Sequence, residues 1–86
     1  MTTIAITTTR PADEYTRPYR IVIRQDKYNN SHPFMVHMET NPGTPQAAHH
    51  NGDYCETLKD AAASFRRRAE NAGLEVLLPG WDMVTV

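Results

Sequence analysis

The chain has 86 residues, and its nine lysine and arginine residues nearly balance its ten aspartate and glutamate residues. This length accommodates one domain, and the balanced charge argues against both a generally basic nucleic-acid binder and a strongly acidic DNA mimic. Cys55 is the one cysteine, so we expect no internal disulfide. Residues 1–9 lack the features of a secretory signal, and no stretch has the roughly 18 to 20 apolar residues of a membrane span. We therefore expect a cytoplasmic protein.

We interpret residues 1–86 as a single domain, in which residues 1–18 are an N-terminal arm and connector and residues 19–86 are the body. Ile4 and Ile6 alternate among threonines, a pattern typical of a short strand, with an ordered arm as the alternative. Residues 10–18 contain two prolines and four charged residues, which disfavours any regular element and predicts a surface connection.

Two strands are predicted in the body from the alternation of apolar and polar residues. Every second residue from Tyr19 to Ile23 is apolar, and so is every second residue from Phe34 to Met38. Turn-forming residues lie between them, which predicts an antiparallel hairpin. Its loop is longer than a tight turn requires and carries contact chemistry, namely a cation, an aromatic ring, two amides and an imidazole. These residues are Lys27, Tyr28, Asn29, Asn30 and His32.

The polar side of this hairpin is a candidate binding surface. Arg20 and Arg24 share the side opposite the apolar residues, and His37 and Glu39 of the neighbouring strand are expected on that same side. If a helix covers the apolar side, the other side is basic with some apolar character, as in a binding sheet. An ordinary solvated face is the alternative.

The second half of the chain is predicted to supply that helix. Residues 41–51 read as irregular, and residues 52–55 as a short third strand. Thr57 is a good N-cap and Gly73 fits the left-handed position that ends a helix. Residues 75–78 are a short apolar run, and residues 81–86 alternate as a last strand. The helix has one apolar stripe, formed by Leu58, Ala61, Ala62, Phe65, Ala69 and Ala72.

These elements predict an α+β fold: a three- to four-stranded antiparallel sheet with one helix packed on one face. The helix and each of the two strands have their apolar residues on one side only, so these sides are expected to face one another. We therefore expect Phe65 and Ala69 to be buried against Ile21, Ile23, Val36 and Met38.

Three consecutive arginines, Arg66, Arg67 and Arg68, lie on the predicted helix. Guanidinium groups suit phosphates and carboxylates, but the helical wheel spreads these three so that they cannot converge on one small ligand. A solvated helix face and a partner or phosphate contact both remain open.

Catalytic and metal chemistry are not indicated. The spacing of the four histidines and the single cysteine does not suit zinc. Cys55 near His49 or His50 lacks a third, orienting group, and the glycines never cluster into a phosphate-binding loop. We expect no enzyme, no metal and no cofactor.

The chain, which opens MTTIAITTTRPADEYTRPYRIVIRQDKYNNSHPFMVHMET, resembles the small phage-encoded anti-CRISPR proteins that act on type I-F surveillance complexes. The resemblance covers the format of the whole chain, and no residue role is carried over from it. It implies a non-enzymatic inhibitor in the host cytoplasm that binds, as a monomer, a multi-subunit ribonucleoprotein of CRISPR proteins and guide RNA and blocks hybridisation of target DNA. Several such inhibitors resemble acidic DNA mimics, whereas the exposed arginines here suit contacts with guide RNA together with protein.

The residues alone also suggest an alternative, a small single-stranded RNA- or DNA-binding module of phage or host. It would use Arg20, Arg24 and the hairpin loop, with Tyr28 as a stacking residue. Under both hypotheses we expect the loop end of the sheet to face a partner that contains nucleic acid. The helix arginines would then serve a secondary protein contact or solubility.

Overall fold

A computed structural model describes residues 2–78 of the chain. Within this range the elements are β1 (Thr2–Thr7), β2 (Tyr19–Gln25), β3 (Phe34–Thr40), β4 (Ala48–Cys55), α1 (Leu58–Ala72) and β5 (Val76–Leu78). The strands form one antiparallel sheet in the order β4-β3-β2-β1-β5. α1 packs against one face of it, so the predicted α+β class is confirmed. The sheet has five strands, more than the three or four expected.

β1 has an inner position in the sheet, between β2 and β5. The interpretation of residues 1–18 as arm and connector is therefore wrong for Thr2–Thr7, and the short strand predicted from Ile4 and Ile6 is confirmed. Ala5 and Thr7 are buried, and the hydroxyl of Thr7 accepts a hydrogen bond from the backbone N–H of Ile21 at 3.0 Å. The physical reason is that alternating β-branched residues suit a pleated strand with neighbours on both sides.

α1 begins and ends where its local signals predict. The Thr57 hydroxyl accepts the backbone N–H of Asp60 at 3.1 Å, which satisfies one of the free donors of the first turn. Gly73 has a φ of 69°, and the N–H of Leu74 donates to the carbonyl of Ala69 at 2.9 Å. This is the Schellman arrangement, in which a left-handed residue lets the chain turn away from the helix.

The core lies between α1 and the sheet. Phe65 has no exposed surface and belongs to one cluster with Ile21, Ile23 and Val36, against which Met38 is packed. The predicted burial of Phe65 is thus confirmed. The buried residues of α1 other than Phe65 are small, so this one ring fills the space between helix and sheet.

β4 is longer than predicted, because residues 48–51 belong to it rather than to an irregular segment. A β-bulge interrupts its pairing with β3: Val36 lies opposite Asp53 and Met38 opposite His50, so that His37 faces two residues, Asn51 and Gly52. Asn51 has a positive φ of 55°. A bulge of this kind breaks the period of two and hides the strand from pattern reading. The strand predicted for residues 81–86 lies outside the described residues.

Candidate nucleic-acid interface

We call the sheet face opposite α1 the second face. The strand registers place on it Arg20 beside Glu39, Arg24 beside Met35, Glu39 beside His49 and Met35 beside Tyr54. The expectation that two arginines share a side with His37 and Glu39 therefore agrees with the register. In β2, β3 and β4 the residues of the second face are Arg20, Val22, Arg24, Met35, His37, Glu39, His49 and Tyr54.

A chain of hydrogen bonds links the charged groups of the second face. Arg20 Nε donates to Oε1 of Glu39 at 2.6 Å, and His49 Nε2 donates to Oε2 of the same carboxylate at 2.9 Å. A guanidinium nitrogen of Arg24, Nη1, lies 3.2 Å from Nδ1 of His49. Since a carboxylate only accepts and a guanidinium only donates, Nε2 of His49 carries the hydrogen and Nδ1 is unprotonated.

The second face has positive charge at its surface. Glu39 is the single carboxylate among its residues, is 7% exposed and has a donor on each oxygen. The two arginines are partly exposed, with about a quarter of the Arg20 side chain accessible. An anionic ligand therefore meets guanidinium groups before it meets the carboxylate.

His37 lies in the buried floor of the second face. Its ring makes edge contacts with His49 and Tyr54, at centroid distances of 5.5 and 6.2 Å. Its Nδ1 is buried and has no hydrogen-bond partner in the described part of the chain. Burial lowers the pKa of His37, and the neighbouring His49 and Arg24 lower it further. The lowered pKa favours the neutral form of the His37 ring.

Gly52 allows the bulge to pass directly over His37. A Cβ atom at this position would lie 2.9 Å from Cε1 and 3.0 Å from Nδ1 of the His37 ring. Only a residue without a side chain tolerates this approach. The glycine therefore positions β4, and with it His49 and Tyr54, against β3.

Tyr54 and His49 are site residues that sequence reasoning missed. Tyr54 is 60% exposed, lies on β4 at the edge of the sheet and makes a T-shaped contact with the His37 ring, so more than half of its surface is accessible to a ligand that stacks on aromatic rings. His49 is missed because residues 48–51 read as irregular, and the place of Tyr54 on the second face depends on the pairing of β4 with β3. The Asn51–Gly52 pair was the available signal, since such a pair between two short alternating runs is typical of a bulge or turn.

The hairpin loop adjoins the end of the second face that carries Arg24 and Tyr54. Tyr28 is 83% exposed, with the Lys27 ammonium 5.3 Å from its ring centroid. Asn29 instead stabilises the loop, because its side-chain oxygen accepts hydrogen bonds from the backbone N–H groups of Ser31 and His32, at 3.1 and 2.9 Å. Replacing Asn29 would therefore disturb the loop, which makes it a poor test of contact.

Two other loop positions and the helix arginines are also placed by the structure. Asn30 is exposed, and His32 Nε2 is 3.9 Å from the carboxylate of Glu56. The three helix arginines lie on α1, on the other side of the sheet from the second face. The residues predicted from sequence therefore do not form one site, and those separated from the second face are Arg66, Arg67 and Arg68.

Arg68 joins α1 to β4. Its Nη2 lies 2.9 Å from Oδ2 of Asp53, which also accepts the hydroxyl of Ser64 at 2.7 Å. The hydrogen bond from Ser64 and then the charge of Arg68 hold the pKa of Asp53 below its usual value, against the opposing effect of burial. Arg68 thus has a structural partner, whereas Arg67 is exposed on the outer side of the helix.

Two further observations concern residues 2–78 alone. They include no group of three or more histidine, cysteine, aspartate or glutamate side chains arranged to hold a metal ion. They also include no helix with the length and apolar character needed to cross a membrane.

Comparison of the chain with protein-family models, with curated proteins and with solved structures finds no match.

Proposed function

We propose that this protein is a non-enzymatic binding protein that holds single-stranded nucleic acid on its second face and the adjoining hairpin loop. One observation carries the proposal: the exposed ring of Tyr54 and the partly exposed guanidinium groups of Arg20 and Arg24 share a face whose carboxylate is buried and already paired. Guanidinium groups bind phosphates, and an exposed aromatic ring stacks on a base.

A single strand suits this surface better than a duplex. A tyrosine that stacks on a base needs that base to be unpaired and turned out, as in single strands, loops and bulges. Tyr54 at the sheet edge and Tyr28 in the loop lie toward the same end of the sheet and are both largely exposed. Together they offer two stacking rings to one strand.

The charge of the molecule limits the phosphate contribution. The net charge is −1, and Arg20 and Arg68 are already paired with carboxylates. We therefore expect two or three phosphate contacts and a slope of log affinity against log salt of about −1.4 to −2.1, at about 0.7 per contact for single strands. Stacking should supply the larger share of the affinity.

A specific observation also favours the inhibitor of a crRNA-guided surveillance complex. Tyr15, which is 88% exposed, lies in the connector that precedes β2, and with Tyr28 it offers aromatic contact chemistry of the kind found at protein interfaces. A partner that presents guide RNA beside protein surface would use both kinds of contact. In this second candidate function the protein binds stoichiometrically and prevents target DNA from hybridising.

The test is binding of fluorescent single-stranded RNA, single-stranded DNA and duplex, measured by anisotropy at low salt. Tyr54→Ala should weaken single-strand binding about 5- to 150-fold, the equivalent of about 1 to 3 kcal/mol for one stacked base. Tyr15→Ala is the matched control, since it removes another exposed tyrosine, one in the connector rather than on the second face, and it should leave oligonucleotide affinity unchanged.

The two candidate functions give different results. If no oligonucleotide binds but a purified type I-F surveillance complex does, and Tyr54→Ala weakens that interaction, the inhibitor is favoured. Equal affinities of Tyr54→Ala and the parent protein for every ligand would contradict both, because each requires the second face.

A further inference from the structure

We propose that His49 and Arg24 form a clamp for one phosphodiester oxygen, and that the clamp takes up a proton at Nδ1 of His49 when it binds. The inference deepens the proposed function and rests on it. The group bound at this point of the second face is then a phosphodiester, and its binding depends on pH.

The free protein holds this site closed. Both ring nitrogens of His49 are occupied: Nε2 donates to Glu39 at 2.9 Å, and Nδ1 lies 3.2 Å from Nη1 of Arg24, which donates to it. One guanidinium nitrogen of Arg24 is thus turned inward, onto a neutral ring. This guanidinium nitrogen of Arg24 can therefore bind an anion once its hydrogen bond to the His49 ring is broken.

A proton on Nδ1 changes this contact from attraction to repulsion. Two donors, both positively charged, would then face each other across 3.2 Å, and the hydrogen bond between them is lost. An oxygen of a phosphodiester placed between them accepts from both, in two charge-assisted hydrogen bonds. Protonation of His49 and binding of the anion therefore favour each other.

The groups that face His49 fit this role. From β3, the carboxylate of Glu39 accepts a hydrogen bond from Nε2, while the His37 ring makes an edge contact with the His49 ring. From β2, Arg24 and, through Glu39, Arg20 oppose a further positive charge when no anion is present. On β4 itself, Tyr54 is the neutral neighbour on the same face. The bound phosphodiester supplies the negative charge that offsets the two arginines.

The first experiment follows the imidazole resonances of His49 by NMR as a function of pH, with dimethyl phosphate as the phosphodiester probe and equal ionic strength of sodium chloride as the reference. We expect dimethyl phosphate to raise the titration midpoint of His49 and to leave that of His50 unchanged. His50 is the internal control because it lies on the same strand, pairs with Met38 on the α1 side and contacts Thr40. Arg24→Gln should abolish the shift.

The second experiment measures the affinity for a single-stranded oligonucleotide at fixed salt between about pH 8 and about pH 5.5, the range in which histidine changes charge. Affinity should rise toward the acid end by a factor of about 5 to 150, the usual range for coupling between two linked binding events. His49→Gln should remove this dependence, and His50→Gln should keep it.

Failure of the clamp and failure of the proposed function are distinguishable. A midpoint of His49 that dimethyl phosphate leaves unchanged, or an oligonucleotide affinity that is constant over the pH range, would overturn the clamp while single-strand binding stands. A His49 midpoint that dimethyl phosphate raises, without binding of any oligonucleotide, would support the clamp and count against the proposed function.

Discussion

Replacing Gly52 by alanine should destabilise the fold through one collision, between the new Cβ and the ring of His37. The Cβ would lie 2.9 Å from Cε1 and 3.0 Å from Nδ1 of that ring, closer than nonbonded carbon and nitrogen atoms approach. His37 is 8% exposed and has the rings of His49 and Tyr54 beside it, so it has little room to move aside. The strain must then be taken up by a shift of β4 against β3.

The magnitude follows from two opposing effects. Overfilling a well-packed site costs about 1 to 3 kcal/mol, while an alanine in a strand recovers about 0.5 to 1 kcal/mol of backbone entropy relative to glycine. The midpoints of these two ranges leave an expected loss of about 1 kcal/mol. For a domain of this size, each kcal/mol lowers the Tm by about 4 to 8 °C.

Thermal unfolding by circular dichroism measures the loss, and a double-mutant cycle assigns its cause. In a His37→Ala background the collision partner is absent, so Gly52→Ala should no longer destabilise. Gly43→Ala is the contrasting variant: its site is open, but its φ of 77° strains any side chain, so His37→Ala should not relieve its cost. A Gly52→Ala protein as stable as the parent, or one equally destabilised without His37, would refute the reasoning.

Three further predictions concern stability. Phe65→Ala should cost about 3 to 5 kcal/mol in chemical denaturation, because Phe65 is fully buried between α1 and the sheet; a loss under about 1 kcal/mol would contradict this packing. Thr57→Ala should cost about 1 kcal/mol by removing the acceptor for the Asp60 N–H, and the Tm measured by circular dichroism should fall with it; an unchanged Tm would contradict the role of this cap. The pKa of Asp53 is lowered in the folded state, so its stabilising contribution is present above the unfolded pKa and is lost as pH falls through the folded one. Asp53→Asn should therefore flatten the fall in Tm on acidification below about pH 4, and an unchanged acid profile would exclude this role.

Local signals made α1 predictable from sequence to within a residue. The cap at Thr57 and the left-handed Gly73 act on their immediate neighbours, so they need no knowledge of the fold. The sharing of one face by Arg20 and Arg24 was predictable in the same way, since strand parity alone decides it.

Features that depend on distant partners were not predictable. The contact of His49 with Glu39 requires the bulge at Asn51 and Gly52, which shifts the strand by one residue. The internal pairing of Arg68 with Asp53 requires α1 and β4 to be docked. Whether an arginine is available to a ligand thus depends on its contacts in the folded structure, and the periodicity of the sequence does not predict those contacts.

The inner position of β1 has a consequence for how the sheet is completed. β1 to β4 pair in chain order, and such local contacts form quickly. The other side of β1 pairs with β5, and the adjoining bond from the Glu75 N–H to the Thr8 hydroxyl joins residues 67 positions apart. During synthesis β1 is therefore an open edge, able to pair with another chain, until residues 76–78 leave the ribosome. Slow translation of the part of the mRNA that encodes α1 would prolong the time during which this edge of β1 is unpaired, and would so increase aggregation.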